Sequence, residues 1–279
     1  MTANNKTTET NAASPSPARL HVGELLRNFR ARAGLTRLEV SERLLVSESL
    51  AGAYERGERI PTTTYLTDAD LLLDARGALK SCVPLMEEEK YPRTFVGWVR
   101  LEKVAASISA YENMLVPGLL QNEDYIQALY EVRIPQLPES EIEKNVGARL
   151  ERQAVLKRNP LPMVAYVIEE SVLRRPLGSK TVLRNQLLHV LECMRTMHHV
   201  TVQVMPTEGF AHAGMDGPFQ LASAPDGRNW GYADRPGGGT LISKPQEVNQ
   251  LIDRFGALRA AALTPWKSAE LIERTAERL

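Results

Sequence analysis

The pair Glu169-Glu170 is the first constellation in the sequence whose side chains could perform chemistry. Two neighbouring carboxylates can serve as the acid and the base in general acid–base catalysis. Here the pair ends the strand-like run PMVAYVIEE, and adjacent residues of a strand point to opposite faces of a sheet. We therefore do not expect the two carboxylates to reach one substrate. Arg174 and Arg175, just downstream, offer ion-pair partners instead.

Metal binding is the second chemistry to weigh, and the sequence lacks the spacings that support it. It has no HExxH motif, no histidine pair at i and i+4, and no cysteine cluster, since Cys82 and Cys193 lie far apart. The stretch RPGGGT at 235–240 lacks the lysine of a P-loop, and no GxSxG motif is present. We therefore expect no metal site, no cofactor and no enzymatic activity. The histidines weighed as ligands are His189, His198, His199 and His212.

A third constellation, in the segment LTRLEVSERLLVSESLAGAYERGERIP (residues 35–61), suits binding rather than catalysis. An apolar pattern at i, i+3, i+4 and i+7 from Val22 predicts a helix that precedes the segment. Thr36 and Glu39 predict a capping box at the start of a second helix. Ser47 is placed to cap a third helix. Three short helices must therefore position whatever this segment binds.

Two helices joined by a tight turn are the geometry of a helix-turn-helix. The segment resembles a Cro/C1-type domain in Thr36-Arg37, in Val46-Ser47 and in the closing motif YERGERIP. The resemblance implies a third helix that enters the major groove of DNA, with its opposite side packed through Val46, Leu50 or Ala51, and Tyr54. The residues then expected to face the groove are Ser47, Glu48, Ser49, Gly52 and Ala53, and those expected to contact phosphates are Arg37, Arg56 and Arg59.

Two features depart from that family pattern. Leu45 stands at the turn position that glycine normally holds, where a left-handed backbone costs leucine about 1 kcal/mol or more. The run Leu50-Ala51-Gly52-Ala53 gives the third helix an unusually bare surface. A smooth face of this kind can sit deep in the groove against thymine methyl groups. The side chains best suited to base edges are then Ser47, Glu48 and Ser49.

Charge and composition narrow the possible classes of protein. The chain has 34 basic and 34 acidic residues, so its net charge does not by itself indicate a nucleic-acid ligand. Residues 1–61 hold nine Lys or Arg against seven Asp or Glu, a surplus that predicts modest affinity per module and hence a homodimer on paired half-sites. No apolar run approaches the roughly 20 residues of a membrane span, and no signal peptide is recognisable. We expect a cytoplasmic protein that does not bind membranes.

Beyond residue 95 helical patterns alternate with strand-like runs, and the turn APDGR marks a hairpin. Strands joined mainly through turns, with helices collected elsewhere, predict an α+β domain with a mainly antiparallel sheet. The expected fold class is therefore mixed, an all-α helix-turn-helix domain followed by an α+β domain. The expected boundaries are a disordered tail over residues 1–18, the helix-turn-helix domain over 19–80, a hinge over 81–94 and the α+β domain over 95–279.

Six motifs of the second domain occur in order in LVPGLLQNEDYIQAL, RLERQAVL, VIEESVLRRPLGS, NQLLHVLE, VTVQVMP and ALTPWKSAELIERT. Together they resemble the antitoxin-like domain of actinobacterial regulators of the WhiJ type. The resemblance implies a transcription regulator of double-stranded DNA whose second domain binds a small BldB-like partner protein and contributes to dimerisation. The contact surface is expected in the loop over residues 208–218, at His212, Met215 and Asp216.

A regulator that senses a small molecule is the alternative for the second domain. Aromatic side chains near its centre are the candidates for lining a ligand pocket. They are Tyr111, Tyr166, Phe219, Trp230 and Tyr232.

Overall fold

The computed structural model describes residues 15–89, 93–208, 211–235 and 238–279. The chain divides into two compact units, Met1–Tyr91 and Pro92–Leu279. Most of the expected disordered tail, residues 1–14, lies outside the described residues. The end of that range differs from the expectation, because Ser16 caps a helix that already begins at Pro17. Proline suits this first turn, since its fixed φ matches the helix and its missing N–H has no helical partner there.

The described residues of the first unit fold into short helices with side-chain caps. Thr36 accepts a hydrogen bond from the Glu39 amide while the Glu39 carboxylate accepts one from the Thr36 amide, so the capping box forms. The hydroxyl of Ser47 accepts from the Leu50 amide at 3.1 Å, as the sequence predicts. The helices are α1 (Pro17–Arg32), α2 (Arg37–Arg43), α3 (Glu48–Glu55), α4 (Thr63–Leu72), a 3-10 turn at Lys80–Cys82 and α5 (Val83–Glu88).

The core of this unit fixes how α2 and α3 cross. Val22 and Leu26 of α1 pack with Val40 of α2 and Tyr54 of α3, all buried. Ser41 is only 2% exposed, and its hydroxyl donates to the Leu38 carbonyl at 2.8 Å. Ser41 is thus a small residue buried between the core positions of α2.

Much of the stretch expected to be a hinge, residues 81–94, is helical instead. Cys82 and Met86 lie one helical turn apart and are buried in the core of the first unit. The acidic residues Glu87, Glu88 and Glu89 at the end of this helix are half-buried, and they bind other helices of the unit: Glu89 accepts a hydrogen bond from the Ser16 hydroxyl at 2.7 Å, and Glu87 accepts one from the Thr63 hydroxyl at 2.9 Å. The expectation of a hinge missed the i, i+4 apolar pair Cys82 and Met86.

The second unit is built on a sheet of six strands within its described residues. The strands lie in the order β3-β2-β1-β4-β5-β6. β1 pairs parallel with β2, and β2 with β3, whereas the other three pairings are antiparallel. The strands are β1 (Ser107–Glu112), β2 (Met163–Glu169), β3 (Val200–Met205), β4 (Phe219–Ser223), β5 (Asn229–Ala233) and β6 (Thr240–Ile242).

The sheet is thus mixed and mostly antiparallel, consistent with an α+β fold. The parallel half arises because helices connect β1 to β2 and β2 to β3, and parallel strands need such long crossovers. The helices of this unit are α6 (Arg93–Val104), α7 (Glu123–Glu131), α8 (Glu139–Arg152), α9 (Glu170–Arg174), α10 (Lys180–Thr196), α11 (Pro245–Ala261) and α12 (Pro265–Glu277), with 3-10 turns at Gly118–Leu120 and Gln153–Lys157.

Two separate cores cover the two faces of this sheet. One face, with Ile108 and Tyr166, packs against α6, α7, α10 and α12. The other face, with Tyr111 and Val167, packs against α11 through Phe255. None of the helices in the described ranges combines the length and apolar character that a membrane span requires.

Candidate functional site

The start of α3 presents the side chains that the sequence assigns to base edges. Ser47, Glu48 and Ser49 are all exposed. The Ser47 hydroxyl uses its lone pair for the cap, which leaves its proton available to an external acceptor. Glu48 lies in the first turn, where a carboxylate is favoured by the helix dipole. Helix-turn-helix proteins contact base edges from this end of the third helix.

Gly52 does not face outward as expected, because two arginine side chains cover it. It is buried, and a Cβ placed on it would lie 2.9 Å from Arg56 Nη1, 3.3 Å from Arg37 Cδ and 3.4 Å from Arg37 Nη1. The expectation that Gly52 meets the groove with a bare surface is therefore corrected. Ala53, the next residue along, is half-buried. The space that glycine leaves on α3 is filled by guanidinium groups.

Arg37 is held in this position by a buried carboxylate. Glu55 accepts a bidentate pair of hydrogen bonds from Arg30, at 2.5 and 3.0 Å, and its side chain is only 7% exposed. Its Oε2 also lies 3.5 Å from Arg37 Nε. The Arg30–Glu55 pair thus ties α1 to α3 and sets a negative charge beside Arg37. The guanidinium of Arg37 remains partly exposed, with 42% of its side chain accessible.

Arg56 and Arg59, the other expected phosphate contacts, lie at the end of α3 and beyond it, and both are exposed. Arg56 donates Nε and Nη2 to the two oxygens of Glu58, at 2.7 and 2.8 Å. These hydrogen bonds lower the pKa of Glu58 below its ordinary value, so Glu58 is ionised at neutral pH. A phosphate that approaches Arg56 must therefore compete with, or add to, this carboxylate.

The turn between α2 and α3 has the left-handed residue that the sequence suggests. Leu45 has φ 55° and is 92% exposed. The next amide, that of Val46, donates to the Ser41 carbonyl at 3.0 Å and closes the turn. Leucine carries a conformational cost here that its exposed side chain does not offset by packing.

A helix-turn-helix domain model matches residues 21–81, and a domain of unknown function, DUF5753, matches residues 95–274. The second match covers more than half of the chain. The chain belongs to the DUF5753 family. The first match supports a DNA-binding regulator. No curated protein and no solved structure matches the chain.

Within the DUF5753 domain, Glu169 and Glu170 diverge as expected, but the reason is that Glu169 ends β2 and Glu170 begins α9, not that they alternate along one strand. Glu169 Oε1 accepts from the Tyr111 hydroxyl at 2.7 Å and lies 3.1 Å from His212 Nε2. Glu170 accepts instead from Arg174 and from the Thr207 amide. The predicted ion-pair role of Arg174 is confirmed. The two carboxylates belong to separate networks and do not form an acid–base pair.

His212, expected on an exposed contact surface, turns inward instead. Its Nδ1 accepts from the Gly214 amide at 3.1 Å, so Nε2 carries the proton that faces Glu169. With both ring nitrogens occupied and its side chain only 12% exposed, it fastens the loop to the sheet. Gly214 packs so closely on the Tyr111 ring that a Cβ would lie 2.3 Å from Cζ. Burial and the bond to Glu169 raise the pKa of Tyr111, so it stays protonated.

Met215 and Asp216, the other two residues expected at that surface, are exposed. Met215 is 68% exposed. Asp216 forms an ion pair with Arg254 of α11, with 2.7 Å between Oδ2 and Nη1. The loop is thus anchored at both His212 and Asp216, with Met215 between them. Residues 209–210 of the loop lie outside the described residues.

The remaining histidines do not gather into a metal site. His199 Nε2 contacts the Leu156 carbonyl at 3.0 Å, and His189 lies 3.7 Å from the Cys193 sulfur. Burial lowers the pKa of His189, which favours its neutral form. Among the described residues, no group of three or more His, Cys, Asp or Glu side chains is placed to hold a metal ion.

The aromatic residues proposed to line one pocket lie apart. Tyr111 and Phe219 belong to the core on the α11 face of the sheet, with ring centroids 6.2 Å apart. Tyr166 and Tyr232 belong to the core on the opposite face. Trp230 lies under the guanidinium of Arg228. The sheet separates the two groups, so they cannot surround a single ligand.

One titratable residue escapes sequence analysis altogether. Glu112 ends β1, and burial, with the nearby Asp234 carboxylate, raises its pKa to about 8 against the opposing charges of Arg152 and Arg149. It is therefore largely protonated at neutral pH. The sequence gives no signal for this state, because Asp234 and Arg149 reach Glu112 only through the fold.

Proposed function

We propose that the protein is a sequence-specific transcription regulator that reads double-stranded DNA with α3. The observation that carries the proposal is the exposed start of α3, where Ser47, Glu48 and Ser49 are accessible, with the guanidinium groups of Arg37 and Arg56 farther along the helix at Gly52. Hydroxyl and carboxylate groups can read base edges, while arginines contact the backbone. Arg59, exposed after the end of α3, adds a further phosphate contact.

Variants of the residues assigned to base edges and variants of the residues assigned to phosphates should differ in how they bind DNA. A base contact carries sequence information, so Ser49→Ala is expected to change the preferred sequence with little effect on binding to unrelated DNA. A phosphate contact carries none, so Arg37→Ala is expected to weaken binding to all sequences about equally. It is also expected to reduce the slope of log affinity against log salt concentration by about one unit.

The test begins with the binding sites themselves. Crosslinking the protein to its own chromosome and sequencing the bound DNA supplies the operator. Fluorescence anisotropy with the full chain then compares operator and scrambled duplexes for wild type, Arg37→Ala, Ser49→Ala and the matched control Arg76→Ala. Arg76 is an exposed arginine paired with Asp74 in the loop after α4. Absence of binding to any duplex at low salt, by the intact chain, would refute the proposal.

We further propose an antitoxin-like role for the DUF5753 domain, in which it binds a small BldB-like protein and contributes to a homodimer. What supports a partner surface is Met215, an exposed apolar side chain held on a doubly anchored loop. Copurification of the small protein with wild type, and its loss with Met215→Glu, is the expected result. Light scattering of each variant measures the dimer.

A thermal melt distinguishes this role from sensing of a small molecule. A ligand that binds only the folded state raises stability by RT ln(1 + [L]/Kd). Stabilisation by one compound from a metabolite panel, without stable binding of the partner protein, would replace the proposal with a ligand-sensing function. The separation of the aromatic residues onto two faces of the sheet removes the pocket first considered for it.

A further inference from the structure

We infer that Arg37 and Arg56 form a single anion site above Gly52, which takes one phosphate group of the DNA backbone. The inference rests on the proposed function, since it assumes that α3 docks on DNA. It goes further by assigning both arginines to the same phosphate, and by giving Gly52 a role in binding without any contact to a base.

The two guanidinium groups lie close together. Arg56 Nη1 and Arg37 Nη1 lie 2.9 and 3.4 Å from the same point, the Cβ position of Gly52. The two nitrogens are therefore no farther apart than the sum of these distances, about 6 Å. One phosphate oxygen accepts at about 2.8 Å from each donor, and two oxygens of one phosphate span a wider gap. A single phosphate group therefore fits between the arginines.

Among the described residues, some donors of the two arginines remain unused. Glu58 occupies Nε and Nη2 of Arg56, which leaves Nη1 on the edge turned toward Gly52. Arg37 has its 3.5 Å ion pair with Glu55 through Nε, and that buried Nε makes no hydrogen bond. Within the described ranges, neither Nη1 group donates to a protein acceptor. Two unused cationic donors thus stand side by side.

The charges of the two arginines favour an anion between them. Two guanidinium groups within about 6 Å repel each other, and an acceptor between them relieves this repulsion while satisfying both donors. Glu55 and Glu58 each contact one arginine, so they orient the pair without occupying the space between the two Nη1 groups. The monoanionic phosphodiester group of the DNA backbone, with its two non-bridging oxygens as acceptors, is the chemistry that this arrangement favours.

Gly52 is what makes the close approach possible. Any side chain would place a Cβ 2.9 Å from Arg56 Nη1, closer than ordinary van der Waals contact. The guanidinium would have to move away, and the pair would open. Gly52, a poor residue for reading bases, is thus explained by the space that it leaves for two arginines.

The competing arrangement is one phosphate for each arginine, and a neutral-phosphate scan separates the two. Operator duplexes carry one methylphosphonate per half-site, moved along the backbone one position at a time. Anisotropy measures the affinity of the full chain for each duplex, with wild type, Arg37→Ala, Arg56→Ala and the double variant. Arg76→Ala serves as control, and a thermal melt checks that each variant is folded.

If one phosphate is shared, a single position weakens wild-type binding by about tenfold, and both single variants lose sensitivity at that same position. The double variant then binds hardly more weakly than either single variant on that duplex. If Arg37→Ala and Arg56→Ala lose sensitivity at different positions, the shared site is refuted while DNA binding stands. If wild type binds no duplex, the proposed function fails, and the inference fails with it.

Discussion

Replacing Gly52 with alanine is expected to stabilise the fold and weaken DNA binding at the same time. Alanine is favoured over glycine in a helix interior by about 0.8–1.0 kcal/mol. The new Cβ would meet Arg56 Nη1 at 2.9 Å, Arg37 Cδ at 3.3 Å and Arg37 Nη1 at 3.4 Å, all atoms of long side chains that shift at less cost than backbone. The stability gain should therefore be nearly the full propensity difference, about 1 kcal/mol, or roughly 2–4 °C in Tm if a chain of this size melts as one unit.

The loss of affinity follows from the displaced guanidinium groups. A hydrogen bond to a charged partner contributes about 1.5–3 kcal/mol, and an arginine that is pushed aside keeps part of it. We therefore expect a loss of about 1 kcal/mol, which is roughly a fivefold increase in Kd. Operator and scrambled duplexes should weaken alike, because the contact is to the backbone.

Gly256→Ala is the matched control. Gly256 lies inside α11, and a Cβ there would meet nothing within 4 Å. It should therefore give a comparable helix-propensity gain without any change in DNA affinity. Calorimetry and anisotropy on the same preparations measure both quantities. Unchanged affinity of the Gly52→Ala variant would refute the reasoning, because it would mean that the arginines do not need the space above Gly52.

Three further changes test other parts of the structure. Glu58→Gln frees Arg56 from an exposed ion pair worth about 0.2–1 kcal/mol. Fluorescence anisotropy should therefore show binding to any duplex that is tighter by up to about fivefold. Weaker binding would contradict the competition between Glu58 and phosphate for Arg56. Leu45→Gly should raise the free energy of unfolding by about 0.5–1 kcal/mol in denaturant titrations, because it removes the conformational cost of a left-handed leucine whose side chain is almost fully exposed. A lower free energy of unfolding would show that the turn depends on the leucine side chain. Between pH 4.5 and 8 the folded chain keeps a proton on Glu112 that the unfolded chain has released, so stability should fall as pH rises through this window. Glu112→Gln should flatten that pH dependence in urea titrations at several pH values, and an unchanged slope would assign it to another group.

Several features of the first unit could be predicted from the sequence because they depend on residues that are close together in the chain. Thr36 and Ser47 cap their helices with atoms three residues away, so no distant partner is needed to recognise them. Leu45 could be singled out for the same reason, because the turn demands a left-handed residue whatever surrounds it. The divergence of Glu169 and Glu170 was also expected, but from alternation along a strand, whereas it arises because the chain passes from β2 into α9 between them.

Contacts between distant segments decided what the sequence could not. Gly52 is covered by Arg37 of another helix, and His212 is turned inward by Glu169 and Gly214, so exposure inferred from helix or loop position was wrong at both. The protonation of Glu112 likewise depends on groups that the fold brings to it.

The sequence by itself determined α2 and α3 of the first unit, their caps and the turn between them, and the α+β character of the second, because hydrophobic period and capping act over a few neighbouring residues. The tertiary structure alone decided which surface α3 offers and which strands run parallel. Long side chains such as Arg37 and Arg56 reach across elements, and their final positions depend on charges and packing that only the assembled chain supplies.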